Sequence, residues 1–318
     1  MIATLQSLRF VFVMMIFMSH MAWQGIGPFD AGGDCGVAFF FILSGYVLSL
    51  GYGERIGQGT FSYRTFMLRR LTKLYPLHWH CLLVFLILSH QPVDSSVVLN
   101  ALLLQSWIPD SSYYFSCNAV SWFLSDMLFL YVMFPLLYRW MSKMFLAVVL
   151  TTCLVAYLLT PDDYINSLLY VHPLVRTVDF CLGIALLRFT NATERQLPQW
   201  VGWASIALLA VLLAAYPYAD VKWRNAPMFW IPILLLIAVV SRQQGSLSRL
   251  LSNRLLQSLG RLAMPLFMTH QLVIRVMEHR LSTLSYVPML LVCLGVTLLV
   301  SWLVDRFFLQ QIFRQKII

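Results

Sequence analysis

Residues 5–23, LQSLRFVFVMMIFMSHMAW, form an apolar run that carries Arg9 and, eleven residues on, His20. About 20 helical residues cross a hydrocarbon core of about 30 Å, so the run is long enough to span a bilayer. Eleven residues take an α-helix through about three turns plus 20°, which puts both side chains on one face, roughly 16 Å apart. An Arg inside a span costs roughly 2.5–3.5 kcal/mol, and such residues mark function by default. The plainer alternative is an Arg that snorkels from the span end and a His bonded to a neighbouring carbonyl. No basic segment precedes the run and no small-x-small cleavage pattern follows it, so it reads as a retained helix rather than a signal peptide.

The rest of the chain has the same character. Of 318 residues, 60% are hydrophobic and 11% charged, and the mean hydropathy of +0.75 is far from that of a soluble domain. Ten apolar runs, near 5–23, 35–52, 74–90, 119–138, 144–160, 168–188, 199–216, 226–241, 262–280 and 286–308, predict an all-α, polytopic transmembrane bundle of about ten spans. The net charge of +9 does not point to nucleic acid, because its sources gather in alternate loops. Sixteen of the 22 lysines and arginines, among them Arg195, Arg314 and Lys316, fall on one side, which the positive-inside rule makes cytoplasmic. Both termini are then cytoplasmic, in a multi-pass protein of the cytoplasmic (inner) membrane. Residues 1–318 read as one transmembrane domain, with no repeat, no loop beyond about 30 residues and no appended soluble domain. The six cysteines lack metal-ligand spacing and read as small hydrophobes, although a Cys35–Cys117 bridge is conceivable on the outer side.

Several motifs stand out within these runs. The turn-rich segment QGIGPFDAGGD, with Asp30 and Asp34, leads into CGVAFFFILSGYVLSL, where Gly36, Ser44 and Gly45 permit a close helix approach and the Phe39–Phe41 run packs or faces lipid. The loop 53–73 ends in Arg69, Arg70 and Lys73, a compact basic cluster suited to polyphosphate, or else ordinary positive-inside charge touching anionic lipid. Pro76 follows and is expected to open the next span. His78 and His80 point about 200° apart on a helix and cannot share a metal; no metal is expected. The apolar stretch VVLNALLLQSWIP is too short to span and reads as interfacial or re-entrant. Asp126 lies inside a span and is expected to face the bundle centre or a wet cavity. Arg176 and Asp179 can pair at i, i+3, a structural role more than a catalytic one. Around Pro265, expected to open its helix locally, lie His270, Gln271 and Arg275.

Together and in this order, Arg9-x10-His20, GVAFFFILSGY at 36–46 and FMLRRLTKLYPLHW at 66–79 resemble the acyltransferase-3 family of bacterial integral-membrane acyltransferases. VSWFLSDMLFLYVMFPLL, HPLVRTVDFCLGIAL and LGRLAMPLFMTHQLVI resemble its later spans. The resemblance implies a ten-helix bundle moving an acyl group, usually acetyl, from cytoplasmic acyl-CoA to a hydroxyl of an extracytoplasmic or lipid-linked glycan, with membrane lipid around it. It makes His20 the essential histidine and Arg9 its basic partner, and it sets Arg69, Arg70 and Lys73 on the donor-binding RRxxR segment, here with Lys in the last place. Asp126, within WFLSDM where many members carry a WSLSVE-like stretch, completes the expected catalytic set. From the residues alone, imidazole suits removal of a proton from an acceptor hydroxyl or transient acylation of the ring itself. The competing class is a transporter or flippase, since intramembrane Arg, His and Asp also suit a substrate pathway; it would need no acyl-CoA.

Overall fold

In the computed structural model, which describes residues 2–21, 31–191 and 197–314, the described residues form helices and no strand. Ten principal helices follow the ten apolar runs: α1 Ala3–His20, α2 Ala31–Gly57, α3 Tyr63–Ser89, α4 Trp122–Trp140 and α5 Lys143–Leu159. Then come α6 Pro173–Asn191, α7 Trp200–Ala215, α8 Pro227–Val240, α9 Ala263–Arg280 and α10 Tyr286–Val304. Among the described residues, α1–α4, α7, α8 and α10 lie in the seven helices long and apolar enough to cross a membrane. The sixth run is not one straight span: Asp162–Tyr170 meets α6 at a bend of 52°. Pro173 disfavours helix at the residue before it, which places the break. α5 has 17 residues, and α9 crowds Arg275, Glu278, His279 and Arg280 into its last two turns. Asp30, Arg195 and Lys316 lie outside the described residues.

Small residues decide how the core assembles. A Cβ on Gly45 would strike the Phe180 carbonyl, and one on Gly183 the Ile42 carbonyl, so α2 and α6 touch backbone to backbone. Between helices in lipid, where apolar burial gives little drive, such close approach supplies the attraction. Phe39 and Phe41 are fully buried, with Phe39 stacked on Phe12 at 3.8 Å, so this run packs inward. All six cysteines are buried and free, Cys35 and Cys117 included.

The structure decides three local expectations. The basic loop 53–73 is mostly helix, since α2 runs to Gly57 and α3 starts at Tyr63 behind a Ser62 cap; Pro76 is therefore inside α3 rather than at its start. Hydropathy marks where a helix meets the membrane boundary, whereas the helix itself continues into the polar layer. Pro265 lies in the first turn of α9, and the helix is interrupted at Leu262 just ahead of it, beside the Arg261 carbonyl to which Pro265 has no N–H to donate, as expected of a proline here. Residues 90–118 fold into short helices tied to the middle of α3, to the first turn of α4 and to α9. From α3, Tyr75 Oη donates to Leu102 O (3.0 Å), His78 Nε2 to Asn100 O (2.8 Å) and Trp79 Nε1 to Ala101 O (2.9 Å). From α4, Ser125 Oγ donates to Leu103 O at 2.8 Å, and Asn118 Nδ2 reaches Met268 O on α9 at 2.8 Å. At its outer rim, hydrogen bonds from Ser96 and the Val97 N–H hold the Asp94 carboxyl below its ordinary range. This segment roofs one end of the bundle.

Candidate active site

Two larger cavities lie along α1, one towards each end. The first, about 360 Å³, is lined by His20, Val37, Trp122, Phe267, Gln271 and Arg275 among others, with Phe115, Ala119 and Val120 of the roof closing it. The second, about 330 Å³, carries Arg9, Arg70, Lys73 and Arg261, with Tyr131 and a single acid, Asp305. Between them is a space of about 90 Å³ that shares Arg9, Ser44 and Tyr131 with the basic cavity and Phe267 with the His20 cavity. Phe123 stands in this passage, 5.2 Å from the Phe267 ring and 6.4 Å from Phe40. Arg9 and His20 thus line internal space from one helix, as their spacing predicts, but in different cavities.

His20 is fixed through its Nδ1, which lies 2.8 Å from Ile16 O and 3.2 Å from Nε2 of His270. His270, fully buried on α9, has its Nδ1 2.7 Å from Phe267 O and 3.1 Å from Leu266 O. Carbonyl oxygens only accept, so in the neutral ring Nδ1 of His270 carries the proton and Nε2 offers a lone pair. The same logic puts the His20 proton on Nδ1 and leaves its Nε2 as the basic atom. Backbone carbonyls of two helices therefore set the tautomer of a ring in the cavity wall.

Among the remaining candidates, Arg70 and Lys73 line the basic cavity, whereas Arg69 is exposed and is not part of its lining. Adjacent residues on a helix point about 100° apart, which separates Arg69 from Arg70. The Arg70 guanidinium lies over Tyr52, Phe66 and Tyr131 at 5.4–5.8 Å, donates to Tyr52 Oη at 3.0 Å and keeps a buried Nε without a hydrogen-bond partner. Four cations against one acid, with an orphaned donor, fit a polyanion. Asp126 is fully buried on α4 but lines none of these three spaces, and neither carboxylate oxygen has a hydrogen-bond partner. Of the two settings expected for Asp126, the bundle centre or a wet cavity, it takes the first, one turn beyond Trp122 of the cavity wall.

Arg176 and Asp179 pair as their spacing predicts, at 3.0 Å and almost wholly buried, with Trp230 Nε1 donating to the same carboxylate. The Arg176 guanidinium rests against Tyr170 and Trp122 at 4.9 and 5.8 Å, so the pair buttresses the back of the His20 cavity wall. The site residues missing from the sequence-based set are His270, Gln271 and Arg275. The sequence shows them as polar groups in an apolar run, and nothing local says which first-helix residue they meet. Gln271 lines the cavity with an unpartnered Oε1, while Arg275 donates to Cys117 O at 3.2 Å.

A multi-pass helical bundle with a held imidazole at one end of an internal passage and a basic cavity at the other has the build of a membrane enzyme that handles an anionic substrate. The family model for the acyltransferase domain of the acyltransferase-3 type matches residues 2–306, so the chain belongs to that family. Acyltransferase MdmB from Streptomyces mycarofaciens is 28% identical over 326 residues, covering 87% of this chain and 80% of the relative. No solved structure matches. Family membership and the apolar helices together make the chain a multi-pass membrane acyltransferase.

Proposed function

We propose that this protein transfers an acyl group, acetyl foremost, from acyl-CoA to a hydroxyl of a glycan on the far side of the cytoplasmic membrane. It crosses ten times with both termini in the cytoplasm. The carrying observation is the passage along α1 that links a cation-lined cavity to His20. Arg9, Arg70, Lys73 and Arg261 hold the phosphates of the donor, which enters at the end rich in arginine. The acceptor enters the His20 cavity from the other end. His20 Nε2 takes the acceptor hydroxyl proton as that oxygen attacks the acyl carbonyl, then returns the proton to the departing thiolate, giving ester and free CoA. General base assistance of this kind is worth typically 10² to 10⁴-fold. His270 keeps the His20 proton on Nδ1, and Arg275 and Gln271 supply donors where charge develops on the carbonyl oxygen.

The test is mass spectrometry of surface and lipid-linked glycans from cells with wild-type protein, His20→Ala or none. A gain of about 42 Da per acylated sugar, from a hydroxyl hydrogen replaced by acetyl, is expected with wild type only. No acyl difference in any glycan fraction, with the protein inserted, overturns the glycan reading.

A further inference from the structure

The His20 end of the bundle is acidic almost everywhere but at one place. Asp94, Asp110, Asp162, Asp163 and Asp220 lie on its connecting segments. Of the lysines and arginines described there, Lys222 pairs with Asp162 at 3.4 Å, and Arg224 donates to Ala219 O and Pro217 O at 2.8 and 3.0 Å. Arg275 and Arg280 instead share the mouth of a cavity of about 300 Å³ with His279, Ser89, Phe85 and Leu88. Below it, between α3, α9 and α10, runs a slot of about 250 Å³ walled by side chains such as Val84, Val273, Val296 and Val300. Two polar side chains lie in its wall: Thr269, satisfied by Pro265 O at 2.9 Å and Ser301 Oγ at 3.2 Å, and His80, whose ring lies 5.0 Å from that of Phe308. Slot and mouth have Leu88, Leu272 and Val276 in common, and Arg275 lines both the mouth and the His20 cavity.

A helix C-terminus attracts cations, which accounts for His279 and Arg280 at the end of α9. It does not account for Arg275, more than a turn earlier, or for an apolar slot leading up to all three. Glu278, the acid beside them, is not part of the mouth. A long hydrocarbon chain fills such a slot at a gain of about 0.8 kcal/mol per CH₂ only if it leaves water, so in a bilayer the anchor's specificity must come from the charged mouth.

We propose that the slot and its mouth hold the phosphate anchor of a lipid-linked acceptor. The chain lies between α3 and α10 along α9, the phosphate meets Arg275, His279 and Arg280, and the hydroxyl-bearing group passes Arg275 into the His20 cavity. This rests on the function proposed above and names how its acceptor arrives: sideways from the bilayer, as a lipid phosphate.

The experiment uses the protein in phosphatidylcholine nanodiscs with a photoreactive long-chain alkyl phosphate and the alkanol of the same chain. Labelling is mapped on α3, α9 and α10 for wild type and for the double variant His279→Gln, Arg280→Gln. The expected result is labelling at Leu88, Leu272 and Val276 by the phosphate over the alkanol by about tenfold, lost in the double variant, since each basic residue near the surface attracts a lipid anion. Equal labelling by phosphate and alkanol, or an undiminished preference in the double variant, overturns it. So does complete displacement by excess phosphatidylglycerol, which would mark ordinary bilayer lipid. Acyl transfer is read separately: wild-type protein that labels as expected but transfers no acyl group breaks the function reading alone, and a double variant that loses the labelling preference yet keeps wild-type transfer breaks this proposal alone.

Discussion

His20 is held by a backbone carbonyl at 2.8 Å and a second ring at 3.2 Å, whereas Arg70 rests on three aromatic faces and one phenol, with Nε unpartnered. The first cavity fixes an atom in direction and protonation; the second supplies charge that acts over several ångströms. Hydrogen-bond geometry fails within about half an ångström of error, while Coulombic attraction declines slowly with distance. Substitutions at the His20 end are therefore expected to lower kcat steeply, and those at the Arg70 end to raise the KM for the donor more gently.

The largest effect expected is for His20→Ala: acyl transfer falls by roughly 10² to 10⁴-fold, measured in membranes with labelled acyl-CoA at matched protein levels. Retention of more than about a tenth of wild-type activity would remove His20 as the base and erase the contrast between the cavities.

His270→Gln should lower kcat by roughly 10²-fold with little change in either KM, because the ring it orients is no longer held. A pH–rate profile separates this from mere loosening, since a His20 free to change tautomer titrates differently from one held by Nε2 of its neighbour. An unaltered profile with a modest rate loss would assign His270 to helix contact alone.

Arg70→Gln should raise the acyl-CoA KM by about tenfold, the loss of one charge-assisted contact, with kcat nearly kept and salt dependence reduced. Arg69→Gln, on the exposed side of the same helix, should change it by less than about twofold. If the two variants match, the cavity does not select among the arginines.

Phe123→Ala should widen the passage and raise acceptor-independent acyl-CoA hydrolysis by about threefold, as water reaches the donor; unchanged hydrolysis would mean that the ring does not separate the two ends. The smallest effect is expected for Asp126→Asn, whose carboxylate lines neither cavity: transfer within about threefold of wild type. A larger loss would return Asp126 to the site.

Much of this was legible in the chain itself. Arg9 and His20 face internal space from one helix because 100° per residue is a local property, and Arg176 finds Asp179 at i, i+3 for the same reason. For Asp126 the chain left two settings open, since a carboxylate inside a span faces the interior but interior is not cavity, and only the packed bundle places it in the centre away from the three spaces along α1. Arg69 and Arg70 looked equivalent as charges and differ by a 100° turn whose reference direction only α2 and α4, packed against α3, can set. Pro76 falls inside α3 rather than at its start because helix ends follow caps and breaks, not the hydropathy boundary.

The sequence by itself determined the ten apolar helices, the family and the shared face of Arg9 and His20, since transfer free energy and helical periodicity are summed over neighbouring residues. Only the tertiary structure decided that His270, 250 residues away, supplies the ring that holds His20, and that Arg275 lines two spaces at once. Those meetings depend on how closely and at what angle helices cross, and for α1 the close approaches are at Gly36 and Gly260, where a Cβ would strike Phe12 O and Gln6 O.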